Sequence, residues 1–141
     1  IMLNITPQLI SLSAKEDLIF VGGIAMVAHG MKKSFNDIDI VITSTSGLSN
    51  ITTYQTDSAF SKSGNRAFIL KTELSMEMDI DIFIENELPD YEIINGLKII
   101  TKDAMAQYYN SIKNRVNSHF RNNIETNLSL ITHNLNTLLD E

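Results

Sequence analysis

Asp37 and Asp39 stand two residues apart, with Ile38, Ile40 and Ile42 alternating through the same segment. A strand's period of two puts both carboxylates on one face, a few ångströms apart, and the isoleucines on the other. Such neighbours repel each other and cost stability unless a cation lies between them. Magnesium suits a hard, oxygen-only site that keeps waters and phosphate oxygens as its other ligands. The plainer reading is a strand whose acids simply face water. Asp79 and Asp81 repeat the pattern in 76–84 (MEMDIDIFI), so a neighbouring strand could add a third carboxylate. Two metal ions held by three carboxylates is the arrangement that in-line phosphoryl or nucleotidyl transfer uses.

Gly22-Gly23 follows the apolar run 18–21. At a strand end that opens a helix, free backbone amides bind phosphate and glycine lets the phosphate approach. Alone, the pair marks only a tight turn; here it lies one short helix upstream of the paired acids. Charge is also unevenly spread. Eight acids and no base fall between Glu73 and Glu92, and five bases with one acid, Asp103, between Lys98 and Arg121. Two solvated faces of opposite sign explain this, as do acids gathered around a cation and bases around an anion. The three histidines, His29, His119 and His133, have no triad or metal context. Tyr108-Tyr109 reads as packing rather than base stacking.

These residues need elements to position them. Pro7, with Thr6 as N-cap, predicts a helix to about Glu16. Strands are expected at 18–21, 37–42, 66–71, 76–84 and 97–100, and a short helix over 24–29 stopped at Gly30. Residues 43–50 read as a loop, and 49–62 as a weak helix. Thr101 should N-cap a helix from Lys102 to about Arg115. A last helix should run from about Ser118 to Leu138, with Leu128, Ile131, Leu135 and Leu138 at helical spacing. The order predicts an α/β fold, a small mixed β-sheet backed by helices.

The chain has 141 residues, 43% hydrophobic and 20% charged, so one domain over 1–141 with C-terminal helices at about 102–139 is expected. The absence of cysteine excludes disulfides, thiolate metal sites and a cysteine nucleophile. A net charge of −6 argues against a general polyanion binder. No apolar stretch is long enough to span a bilayer. The start lacks a signal-peptide pattern, so a cytoplasmic protein is expected.

Val21-Gly22-Gly23, thirteen further residues, Asp37-Ile38-Asp39 and a later strand acid together resemble the motif of the nucleotidyltransferase superfamily, the DNA polymerase β-like fold. The look is that of abortive-infection type, single-domain members. Where many members read Arg-x-Thr before the acids, this chain has Lys33-Ser34-Phe35. Lys33 keeps the charge without the bidentate fork, and Phe35 stands at the usual hydroxyl position. The resemblance implies Asp37, Asp39 and Asp81 as catalytic and metal-holding residues. Asp81 fits better than Asp79, because the family's third acid is followed by apolar residues and a loop, as in Asp81-Ile82-Phe83-Ile84. It implies Gly22, Gly23, Lys33, Ser34 and Lys113 as nucleotide contacts, with Arg115 and Arg121 as weaker ones. It also implies Mg2+, a nucleoside triphosphate, and a hydroxyl acceptor on protein or RNA. A toxin partner is the alternative, with the chain acting as an antitoxin or a catalytically degenerate module of the same fold.

Overall fold

A computed structural model describes residues 17–44, 53–73 and 78–140. The predicted helix at 7–16 and most of the predicted loop at 43–50 lie outside the described residues. The described chain forms strands β1 (Ile19–Val21), β2 (Ile38–Ile42), β3 (Tyr54–Asp57), β4 (Asn65–Ile69), β5 (Ile80–Ile84), β6 (Tyr91–Ile94) and β7 (Leu97–Ile100). Its helices are α1 (Gly22–Ala28), α2 (Lys102–Ile112) and α3 (Ser118–Asp140). The strands make one mixed sheet in the order β3-β4-β5-β2-β1-β7-β6. β2 runs parallel to β5 and β1 parallel to β7; the other neighbours are antiparallel. The expected α/β architecture is therefore present. No helix among the described residues is long and apolar enough to cross a membrane.

The alternation in β2 and β5 does what its period requires. Ile38 pairs with Ile80 and Ile40 with Ile82, and all four are buried. Phe20, Ile24, Met26 and Ile99 join them in the core. Asp39 and Asp81 point the other way, paired with each other in the same register. Strand β5 begins at Ile80, so Asp79 lies just outside it; Met76 and Glu77 lie outside the described residues. Asp37 likewise immediately precedes β2.

Two expectations are corrected. Part of the segment read as a weak helix is the edge strand β3, whose Tyr54 ring stacks on Phe68 of β4 at 5.3 Å. Pairing with a formed neighbour overrides weak local patterning. Strand β6 was not expected at all. It folds back on β7 through Asn95 (φ 52°) and Gly96 (φ 79°). An Asn-Gly turn with both residues left-handed is the favoured two-residue hairpin connection, so the signal was present in the sequence.

Thr101 caps α2 as expected, its hydroxyl accepting from the Ala104 amide at 3.1 Å. The helix ends earlier than expected, at Ile112. Asn117 opens α3 by accepting from the Phe120 amide at 3.0 Å. The 58–64 turn is held from two sides. Glu85, buried at the end of β5, accepts from the amides of Lys62 and Ser63, both at 3.0 Å. Arg115 donates to the carbonyls of Ser61 and Lys62 at 3.0 and 2.9 Å. Replacing Glu85 with alanine leaves two amides without their acceptor. Glu85→Ala should cost about 1.5–3 kcal/mol, the range for hydrogen bonds to a charged group. Urea unfolding would measure it, and faster hydrogen exchange at Lys62 and Ser63 would localise it. Unchanged stability would mean that the turn is held without Glu85.

Candidate functional site

One row of residues crosses four strands: Val21 of β1, Asp39 of β2, Asp81 of β5 and Phe68 of β4. All four side chains share a face, because registered neighbours in a sheet do. Val41, Phe83 and Arg66 occupy that face one step along. The parallel pairing of β2 with β5 thus brings Asp39 beside Asp81, forty-two positions later in the chain.

Gly22 and Gly23 hold Asp39. Gly22 has φ +64°, and a Cβ there would fall 2.2 Å from Asp39 Oδ2. The Gly23 amide donates to the Asp39 carboxylate. On its side-chain side Gly23 meets Phe35, at 3.0 Å from an added Cβ. The space the two glycines leave is therefore occupied by the chain's own Asp39 and Phe35. In this conformation the pair orients an acid.

The acids act on one another. Burial, then the charges of Asp81 and Asp37, push Asp39 up to about 7, against the opposing pull of the Gly23 amide and Arg66. Asp37, exposed, is also raised, by partial desolvation first and by Asp81 and Asp79 next. Asp81 is the acid that has found a cation: Arg66 forms an ion pair with it across the β4–β5 boundary. The Arg66 guanidinium also lies over the Phe68 ring, 5.5 Å from its centroid. Asp79 is engaged elsewhere, accepting from the Lys71 amide at 2.8 Å at the start of the 3-10 turn Lys71–Glu73. Asp81 thus lies beside Asp39 in register, whereas Asp79 braces a turn.

The donor set is chemically suited to a hard divalent cation. Asp37, Asp39 and Asp81 offer carboxylate oxygens only; Asp81 is paired with Arg66, while Asp37 and Asp39 are pushed up by burial and by neighbouring acids. Among the described residues, no three acids or histidines are already gathered as a metal-holding group. Asp81 is turned to Arg66 and Asp39 to Gly23.

Lys33 and Ser34 are exposed on the connection between α1 and β2. Lys113 follows the end of α2, half-buried. None of the three lines the cavity beside Asp39. Arg121 donates to the carbonyls of Lys113 and Val116, at 3.1 and 3.2 Å, and so shapes the turn between α2 and α3. Arg115, as described, anchors the 58–64 turn.

Two features escaped the sequence reading. One is Arg66, which lies in an ordinary strand pattern and shows no local mark of its partner. The other is the cavity that Tyr108 and Tyr109 wall. Tyr108 lies against Glu85 and the Lys62 backbone, with no hydrogen-bond partner for its hydroxyl among the described residues. Burial and Glu85 push that hydroxyl up. Tyr109 receives a hydrogen bond from Asn127 Nδ2 at 3.4 Å. Burial and the Asp39 charge push it up to about 12.

No protein-family model matches this sequence, and no curated protein or solved structure matches it either.

Two outcomes follow from the glycine–acid contact. Gly22→Ala forces a Cβ into the left-handed region and onto Asp39. The backbone alone should cost about 1–2 kcal/mol, and the contact adds to it. Urea unfolding would read the loss; a neutral result would mean that Asp39 can turn away freely. For Asp39 itself the sign runs opposite to that of a salt-bridged acid. A folded pKa near 7, above the unfolded value of 3.8, means that the native state holds more protons between those values. Stability then falls as pH rises from about 4 to 7, and stays low above that. Asp39→Asn keeps the Gly23 hydrogen bond and removes the charge. In EDTA it should raise the melting temperature by several degrees at pH 8, and by less than half as much at pH 5. A lower melting temperature at both values would contradict acid–acid repulsion.

Proposed function

We propose that this chain is a magnesium-dependent nucleotidyltransferase of the polymerase β-like fold, moving a nucleotidyl group from a nucleoside triphosphate to a hydroxyl on protein or RNA. The observation that carries this reading is the register of Asp39 against Asp81, with Asp37 alongside and Gly22-Gly23 seating Asp39. Asp37, Asp39 and Asp81 offer only carboxylate oxygens at neighbouring positions in and just before β2 and in β5, a donor set that would suit magnesium and the phosphate oxygens it brings once Asp81 turns from Arg66. Asp37 and Asp39 would hold both ions, and Asp81 the one on the acceptor side. When bound, the metal lowers the pKa of the attacking hydroxyl and offsets charge developing on the phosphates.

The chain's own residues do the remaining work. Gly22 and Gly23 fix the direction of Asp39. Asp81 takes the acceptor's proton once released from Arg66. The acceptor oxygen bonds to the α-phosphorus as the bond to pyrophosphate breaks. Lys33, Ser34 and Lys113 are assigned to the triphosphate by family resemblance. Freed from Asp81, Arg66 adds a cation on the same face of the sheet. The enzyme would act in the cytoplasm.

A second reading is favoured by one observation. Arg66 already neutralises Asp81, as it would in a module that keeps the fold and has lost the metal. Such a module would bind a partner, a toxin for instance, without transferring anything to it.

Calorimetry with ATP separates the two. The transferase should bind ATP in magnesium and lose that binding in EDTA. Asp37→Asn combined with Asp39→Asn should abolish the metal-dependent part. Labelled ATP, CTP, GTP or UTP, supplied with magnesium and a host lysate, should then mark a protein or RNA, and Asp37→Asn should stop it. Equal binding in EDTA, or none in magnesium, would overturn the reading. Tight co-purification of a partner that persists in Asp37→Asn, with no label transferred, would establish the binding module.

A further inference from the structure

Between the acidic face of the sheet and helices α2 and α3 lies a cavity of about 230 Å3. Asp39 and the two glycines stand at its edge, while Phe60, Phe83, Tyr109 and Phe120 contribute rings to its walls. Asn123 and Asn127, one turn apart on α3, contribute the amides. We propose that this cavity holds the nucleobase of the triphosphate, with adenine preferred, and that Asn123 and Asn127 read the base's edge. The proposal rests on the nucleotidyltransferase reading and adds to it the place and identity of the base.

Three observations converge. The first is continuity. A nucleotide whose phosphates lie at Asp39 and Asp81 carries its nucleoside within reach of this cavity, which Asp39, Gly22 and Gly23 border. The second is the chemistry of the walls. Lysine and arginine are absent from the lining, so the cavity does not suit the phosphates themselves. Its rings and aliphatic groups suit a flat, weakly hydrated heteroaromatic ring, with a few polar groups to orient it. The third is the pair of amides. Residues four apart share one side of a helix. Asn123 has no hydrogen-bond partner among the described residues, and Asn127 uses only its Nδ2, on Tyr109. A side-chain amide offers a donor and an acceptor together, which complements N7 and the N6 amino group of adenine.

Phe120 and Asn123 are exposed enough to be replaced without emptying the core; Phe120 is 40% exposed. The test measures binding of ATP, GTP, CTP, UTP and inorganic tripolyphosphate to the full chain, all with magnesium. It uses the wild type, Phe120→Ala and Asn123→Ala, with folding checked by circular dichroism. Wild type should favour ATP. Phe120→Ala should weaken all four nucleotides by about tenfold, the scale of one lost stacking surface. Asn123→Ala should lower ATP affinity by about tenfold and level the four bases, as the loss of one edge contact does. Tripolyphosphate should bind all three proteins alike. If ATP binding needs magnesium and Asp39 but neither variant changes it, the base lies elsewhere, and the transferase reading stands. Equal affinity for all four bases in the wild type would overturn the edge reading. Equal weakening of tripolyphosphate would show damage to the phosphate site and overturn the assignment. If no nucleotide binds at all, both readings fall.

Discussion

The seating of Asp39 on Gly22 and Gly23 couples the parts of this protein that matter most. Gly22 must lack a Cβ because the carboxylate takes its place. Gly23 supplies the amide that fixes the carboxylate's direction. This contact joins the start of α1 to the start of β2, and the Val21–Asp39 pairing places them side by side. A slip of one residue between β1 and β2 would turn an isoleucine toward the glycines and Asp39 into the core. The contact and the hydrophobic face therefore specify the same register.

That register has an electrostatic cost. The parallel pairing of β2 and β5 sets Asp81 beside Asp39, and Asp37 joins them from the approach to the strand. The isoleucines on the reverse face are buried and hold the two strands together regardless of what the acids prefer. Arg66 relieves part of the repulsion by pairing with Asp81. Asp39, better buried and held by one amide, keeps most of its share. A site held by surrounding structure against its own charges is the pattern in which stability is traded for function.

The helical side of the site is assembled from distant segments. Glu85 at the end of β5 and Arg115 after α2 together pin the 58–64 turn. That turn carries Phe60, whose ring meets Phe120 of α3 edge-on at 5.0 Å. Tyr108 and Tyr109 of α2 close the remaining side. An aromatic cavity next to a carboxylate cluster thus depends on ionic and hydrogen-bonded anchors outside both.

The elements that position the acids were legible in the sequence because their signals are local. Alternation made β2 and β5 readable, Thr101 marked the start of α2, and the glycine pair marked the end of β1. Strand β6 was equally legible through Asn95-Gly96, a turn signal lying between two apolar runs. Strand β3 was not, since its stability comes from β4. Asp79 and Asp81 could not be separated by their spacing, because a period of two gives both the same face. The pairing of β2 with β5 is what sets Asp81 beside Asp39, and Asp79 instead accepts from the Lys71 amide at the 3-10 turn. Arg66 as the partner of Asp81, Asp39 as the occupant of Gly22's empty side, and the cavity walled by Tyr109 and Phe120 all belong to the tertiary structure. Each joins residues far apart in the chain, and the period of a strand or the cap of a helix carries no information about which distant strand or helix will lie alongside.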